Sequence, residues 1–133
     1  MAVMIPDRLR DLLSREKRAF AHLALVRRNG TPHLTPVWFD YDAPHFIVNT
    51  ARGRVKDKIM RRHPAVTMEI TDPTDPYRYL LVRGRVVGET EEGAYEKICD
   101  LNLKYHGENT YPRYPGEVRV TYTIEIDSVY PTK

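Results

Sequence analysis

The sequence predicts a mainly β protein with peripheral helices, a small six-stranded antiparallel barrel. Three observations carry this reading: six short segments run apolar or alternate at strand period, turn residues separate most of them by hairpin lengths, and the helical patterns fall outside them. An open α+β sheet of the same strands is the competing architecture. The 133 residues fit one domain, 1–133, with no repeat, low-complexity tract or linker-like run inside it.

Pro6-Asp7 opens a first helix, with Ile5, Leu9, Leu12 and Leu13 at helical spacing, expected to end near residues 16–18. In the strand 19–28, Phe20, Ala24 and Val26 alternate with Ala21, Leu23 and Leu25, and only His22 is polar; both faces are expected to be buried. Asn29-Gly30 is the strongest hairpin signal, since both residues tolerate positive φ. The returning strand, 32–41, contains Pro36, which cannot donate to a ladder and marks a bulge or an unpaired position.

Asp42-Ala43-Pro44 turns the chain into a third strand, 45–49, and a short basic helix follows, with Val55 and Ile59 at i,i+4 and Pro64 as its stop. A strand at 65–71, a loop at 72–76 and a long strand at 77–89, interrupted by Gly84 and Gly88, come next. In the helix 91–105, Ala94, Ile98, Leu101 and Tyr105 form one stripe and His106-Gly107 caps its end. The last strand, 118–126, alternates cleanly.

The charge is unevenly placed. The chain carries a formal +3, yet residues 45–64 alone carry six basic side chains (Arg52, Arg54, Lys56, Lys58, Arg61 and Arg62) against Asp57. This basicity sits where a strand hands over to a helix N-terminus, a geometry suited to phosphate. Arg54 and Lys56 lie at the helix end where positive charge is intrinsically disfavoured, so a bound anion explains them; Arg61 and Arg62 lie at the favourable end and read as helix-end charges. A basic barrel also raises nucleic-acid binding, with Tyr111 and Tyr114 as stacking platforms. Because the charge is gathered on so few residues, a compact anion is expected instead.

One cysteine, Cys99, excludes an internal disulfide and a multi-cysteine metal site, and the five histidines have no metal spacing. No glycine-rich dinucleotide fingerprint or P-loop is present, and no carboxylate pair suggests glycosidase chemistry. The absence of a long apolar run argues against a membrane span and for a cytoplasmic protein. Trp38, after the strand proline, and Tyr77 and Tyr79, on one strand face, are aromatic in a way that could line a slot for a planar ring beside the basic corner.

The run 32–70, PHLTPVWFDYDAPHFIVNTARGRVKDKIMRRHPAVTMEI, followed by PYRYLLVRGRVV, resembles the pyridoxamine 5′-phosphate oxidase-like, FMN-binding split β-barrel superfamily, and more narrowly its actinobacterial-type branch of F420-dependent reductases. Arg54, Lys56, Arg61, Arg62 and Pro64 are the most specific part of the match. The resemblance implies a homodimer of six-stranded split barrels with F420, or alternatively FMN, at the subunit interface. Arg54 and Lys56 would bind its phosphate, Asn49 and Thr50 would line the ribityl chain, and Pro36, Val37 and Trp38 would run beside the ring. Tyr77 and Tyr79 would approach the site, from this subunit or its partner. The implied activity is hydride transfer between the cofactor and a small organic electrophile, with no catalytic side chain; the alternative is a non-catalytic flavin- or tetrapyrrole-binding protein. The chain stops at residues 126–133 without the basic C-terminal region of vitamin B6 oxidases, so that activity is not expected.

Overall fold

The computed structural model describes residues 3–131. Seven antiparallel strands, β1 (Ala21–Val26), β2 (Pro32–Val37), β3 (Asp40–Asp42), β4 (His45–Ala51), β5 (Ala65–Asp72), β6 (Asp75–Thr90) and β7 (Arg119–Tyr130), form one sheet in the order β2-β1-β5-β6-β7-β4-β3. Helix α1 (Val55–Arg62) follows β4, and α2 (Ala94–His106) follows β6. Among the described residues no helix is long and apolar enough to cross a membrane.

The strand order itself closes the barrel. β2 and β3 are the two edges of the sheet, yet only Trp38 and Phe39 separate them in the chain. A flat sheet of seven strands would hold its edges roughly 29 Å apart at about 4.8 Å per step. Three Cα–Cα steps of about 3.8 Å cannot span that. The sheet therefore curls until its edges meet, and the open α+β alternative is set aside.

The seventh strand arises because the expected strand 32–41 breaks at Trp38-Phe39. Phe39 N–H is held by the Tyr105 hydroxyl at 3.2 Å and its carbonyl by Lys104 Nζ at 2.6 Å, so both groups bond to α2 and not to a ladder. The expected first helix is a 3-10 helix over Asp7–Leu13, where Ser14 ends it by bonding the Asp11 carbonyl through N and Oγ. It packs Leu9, Leu12 and Leu13 against β5 and β6. The expectation that β1 is buried on both faces also fails within this chain. Ala21, Leu23 and Leu25 enter the core beside Phe39, Phe46, Met68, Leu80 and Tyr122, but Val26 is 56% exposed.

Two glycines are structural requirements. Gly84 sits at a register shift between β6 and β7, where a Cβ would lie 2.0 Å from the Glu125 carbonyl oxygen. Gly30 takes φ +88° in the β1–β2 turn while Asn29 stays at negative φ, its Oδ1 accepting from Thr31 N–H.

Candidate functional site

The basic corner is assembled around a buried carboxylate. β4 runs out at Ala51, Gly53 turns the chain with φ +89°, and α1 starts at Val55 with no side-chain cap on Arg54. Asp57, fully buried in the first turn of α1, substitutes for that cap. Its carboxylate accepts from Gly53 N–H (2.9 Å), Arg52 Nη1 (3.0 Å) and the Tyr122 hydroxyl (2.6 Å). Burial alone would raise the Asp57 pKa; these three donors outweigh it and hold the carboxyl below its ordinary value.

Arg52 is occupied by this framework. Besides Asp57 it meets Glu89 at 2.9 Å and Glu91 at 2.8 Å, and the hydrogen bonds to Glu91 and Glu89 raise its pKa further. Two other cations of the segment, Arg54 and Lys56, look elsewhere, into a cavity of about 250 Å³. Arg54, Lys56 and Arg119 reach it from α1 and β7, and Asn49 and Thr50 line it from β4.

Three features of that cavity call for an anion. The Thr50 hydroxyl is buried without a hydrogen-bond partner in a residue only 2% exposed, an orphan that costs free energy unless a ligand meets it. Lys56 makes no ion pair among the described residues, and its pKa is lowered first by burial, then by the charges of Arg54 and Arg119. Among the described residues Glu117 alone pairs with these three cations, lying 3.2 Å from Arg54 and 3.3 Å from Arg119, which leaves two net positive charges. A phosphate group offsets that surplus, by about −1 as a diester and about −1.5 to −2 as a monoester near neutral pH.

The far wall is aromatic and comes from the joint between β2 and β3. Pro36, Val37 and Trp38 line the cavity, with Phe20, Ile98 and Tyr111 completing it. The Trp38 indole stacks on Tyr105 (centroids 5.3 Å apart, planes at 15°) and meets Tyr111 edge-on at 6.4 Å. The Tyr105 hydroxyl donates to the Ala19 carbonyl at 2.7 Å, so the wall is tied to both β1's approach and α2. Phosphate-type donors at one side and a flat apolar wall at the other suit a phosphorylated ligand with a planar ring.

Seven of the nine residues singled out from sequence, Pro36, Val37, Trp38, Asn49, Thr50, Arg54 and Lys56, line this one cavity. Tyr77 and Tyr79 do not reach it in this chain: Tyr77 is 91% exposed at the start of β6, and Tyr79 packs 6.5 Å from the Tyr130 ring. Asn49 acts here as a bracket. Its Nδ2 donates to the Ala94 carbonyl (2.9 Å) and Thr121 Oγ1 (3.1 Å), while its Oδ1 accepts from Arg119 Nε at 2.9 Å. Arg119 itself is absent from the sequence reading. The only signal for it is an arginine opening an alternating strand, and pairing with Ala51 in the β4–β7 register is what brings it to the corner. Among the described residues no group of three or more His, Cys, Asp or Glu is placed to hold a metal ion.

The molecule is a split β-barrel that sets a cationic corner across from an aromatic wall. The family model described as pyridoxamine 5′-phosphate oxidase matches residues 5–131, and the chain belongs to that family. Among solved structures it is similar to an F420 reductase, at 31% identity and a TM-score of 0.85, covering 97% of this chain and 100% of that one. It shares its fold with the conserved hypothetical protein Rv2991 of Mycobacterium tuberculosis (20% identity, TM-score 0.71, 96% and 84% covered). It shares it also with the General Stress Protein 26 of Bacillus anthracis (19%, 0.64, 92% of each chain). None of the curated proteins matches this chain.

Proposed function

We propose that this protein is an F420-dependent oxidoreductase, with FMN as the alternative cofactor, acting on a small organic electrophile in the cytoplasm. The observation that carries the reading is the pairing, in one cavity, of the partnerless Thr50 hydroxyl and Lys56 with the Trp38 wall. When bound, such a cofactor supplies hydride transfer at its ring. The chain's own residues do the rest. Arg54, Lys56 and Arg119 hold the phosphate, Thr50 donates to it or to the adjoining hydroxylated chain, and Pro36, Val37 and Trp38 keep one ring face dry and oriented. No side chain of this chain is assigned a proton or an electron pair. The likeness to the F420 reductase favours F420 over FMN, since both carry a phosphate on a ribityl chain and the corner itself does not choose between them.

A second copy of the chain completes the site in this reading. About 250 Å³ is below the roughly 300–1,000 Å³ usual for a pocket that encloses its ligand. The outer face of β1 and β2 leaves Leu34 66% exposed and Val26 56% exposed beside Pro36, apolar surface adjoining the cavity wall. A homodimer formed there would bury that face and close the open side of the ring slot.

Titration of the dialysed protein with F420 and with FMN, followed by absorbance, tests the reading, and sedimentation equilibrium tests the dimer. Micromolar binding that weakens at least tenfold in Arg54→Ala and Lys56→Ala supports it. Failure of both cofactors to bind overturns it, as does binding indifferent to both substitutions. Binding with no reoxidation of reduced cofactor by any electrophile offered assigns instead a carrier.

A further inference from the structure

We propose that Tyr105 and Lys104 of α2 are positioning residues, which from behind the cavity wall fix where the Trp38 and Phe20 rings stand and so where a planar ligand ring lies. The last clause rests on the proposed function, which puts a ring in that slot. Neither Tyr105 nor Lys104 lines the cavity; both act through residues that do.

Tyr105 holds the two wall rings by the same means at two distant points of the chain. Its hydroxyl donates to the Ala19 carbonyl at 2.7 Å and accepts from the Phe39 N–H at 3.2 Å. Ala19 immediately precedes Phe20 and Phe39 immediately follows Trp38, so one oxygen ties down the backbone beside each wall residue. Ala19 and Phe39 are fully buried, and neither backbone group has water to turn to once that hydroxyl is removed. The Tyr105 ring then meets both side chains: Trp38 stacks on it with planes at 15°, and Phe20 meets it edge-on at 5.1 Å. His106 touches a further side of the indole, edge-on at 5.3 Å.

Lys104 is an unusual residue for its place. The other buried positions of α2 are Ala94, Ile98, Cys99, Leu101 and Tyr105, and Lys104 lies among them with no ion pair among the described residues. Burying an unpaired ammonium is costly, and methionine would fill the same space without that cost. What the ammonium gains is a 2.6 Å bond to the Phe39 carbonyl and a position 4.0 Å from the Phe39 ring centroid. With Tyr105 on its N–H and Lys104 on its carbonyl, Phe39 is held at both backbone groups, and its ring is fixed in the core beside Phe46. The direction of Trp38, one residue earlier, follows from that anchor.

Trp38 is the single tryptophan, so its fluorescence reads the wall directly. Two measurements on the full chain test the proposal: acrylamide quenching without ligand, and titration with F420, FMN and riboflavin, the last being the FMN ring and ribityl chain without the phosphate. Tyr105→Phe and Lys104→Met each keep most of the side-chain volume. In both, the quenching constant is expected to rise, and affinity for all three ligands to fall by one common factor of about threefold or more, as the buried hydrogen bonds are lost. Lys56→Ala is expected to weaken F420 and FMN and to spare riboflavin. Val82→Ala, a core truncation in β6, is expected to leave quenching and all affinities within about twofold of wild type. Unchanged quenching in both α2 variants overturns the proposal. An equal change in Val82→Ala also overturns it, by reducing the pair to general stability, and a loss confined to the two phosphorylated ligands does so by moving the pair to the basic corner. Should one α2 variant fail to fold, the other decides. Because the quenching arm needs no cofactor, failure of F420 and FMN to bind the wild-type chain bears on the proposed function alone.

Discussion

Arg52 and Lys56 lie four residues apart in the same basic segment, and they have opposite circumstances. Arg52 meets three carboxylates, from Asp57, Glu89 and Glu91. Lys56 meets none among the described residues, is partly buried, and faces two other cations. The difference teaches that a cluster of positive charge in sequence is two populations in space: one builds the corner and the other is left over for a ligand. Lys104 is an instructive middle case. It is buried and lacks a carboxylate, yet it donates to the Phe39 carbonyl at 2.6 Å and lies 4.0 Å from the Phe39 ring centroid.

Breaking the matched population has the largest expected effect. Asp57→Asn removes the buried charge from under Arg52, Gly53 and Tyr122, and urea denaturation is expected to report a loss of about 3–5 kcal/mol. Lys104 comes next, through pH. Burial holds its pKa down to about 8, so between pH 8 and the ordinary lysine value near 10.4 the unfolded chain binds a proton that the native chain does not. Stability contributed by this site therefore rises with pH across that window. The gain is on the order of 3 kcal/mol, and Lys104→Met is expected to abolish it. Above about pH 10, Tyr105 and Tyr122, whose pKa values burial raises, act in the opposite sense.

The unmatched population is expected to show in binding and not in folding. Lys56→Ala should leave the denaturation midpoint unchanged or slightly higher, since a buried unpaired charge is lost, while phosphate-bearing cofactor affinity falls by about 1.5–3 kcal/mol in a fluorescence titration. Thr50→Val is the sharpest version of the same contrast. It keeps the shape and removes only the partnerless hydroxyl, so stability should hold and affinity should fall by about 0.5–1.5 kcal/mol. A stability loss in either variant with unchanged affinity would move that residue into the framework with Arg52.

The parts of this molecule legible in sequence are those governed by neighbours along the chain. Apolar runs located β1, β4 and β5, clean alternation located most of β7, and Asn29-Gly30 located the turn between β1 and β2. The corner from Asn49 to Lys56 was legible because strand end, glycine and helix start are consecutive, and charge could be counted against them. The break at Trp38-Phe39 was not, because apolar alternation runs straight through it and the groups that interrupt it, Lys104 and Tyr105, arrive about sixty-five residues later. Arg119, Tyr111 and Ile98 were missed for the same reason: register and helix packing bring them to the cavity. Tyr77 and Tyr79 show the converse limit, since a shared strand face says nothing about what that face meets.

The two-residue joint between β2 and β3 has a mechanical consequence. Trp38 is both a wall of the cavity and a link in the seam where the rolled sheet meets itself. A ligand seated against the indole would therefore rest on the joint that fixes how far the two sheet edges can separate. A ligand that binds only the folded chain would stabilise it by RT ln(1 + [L]/Kd). Hydrogen exchange should place that protection on the amides flanking Trp38 and Phe39 before it reaches the distant ends of β6 and β7.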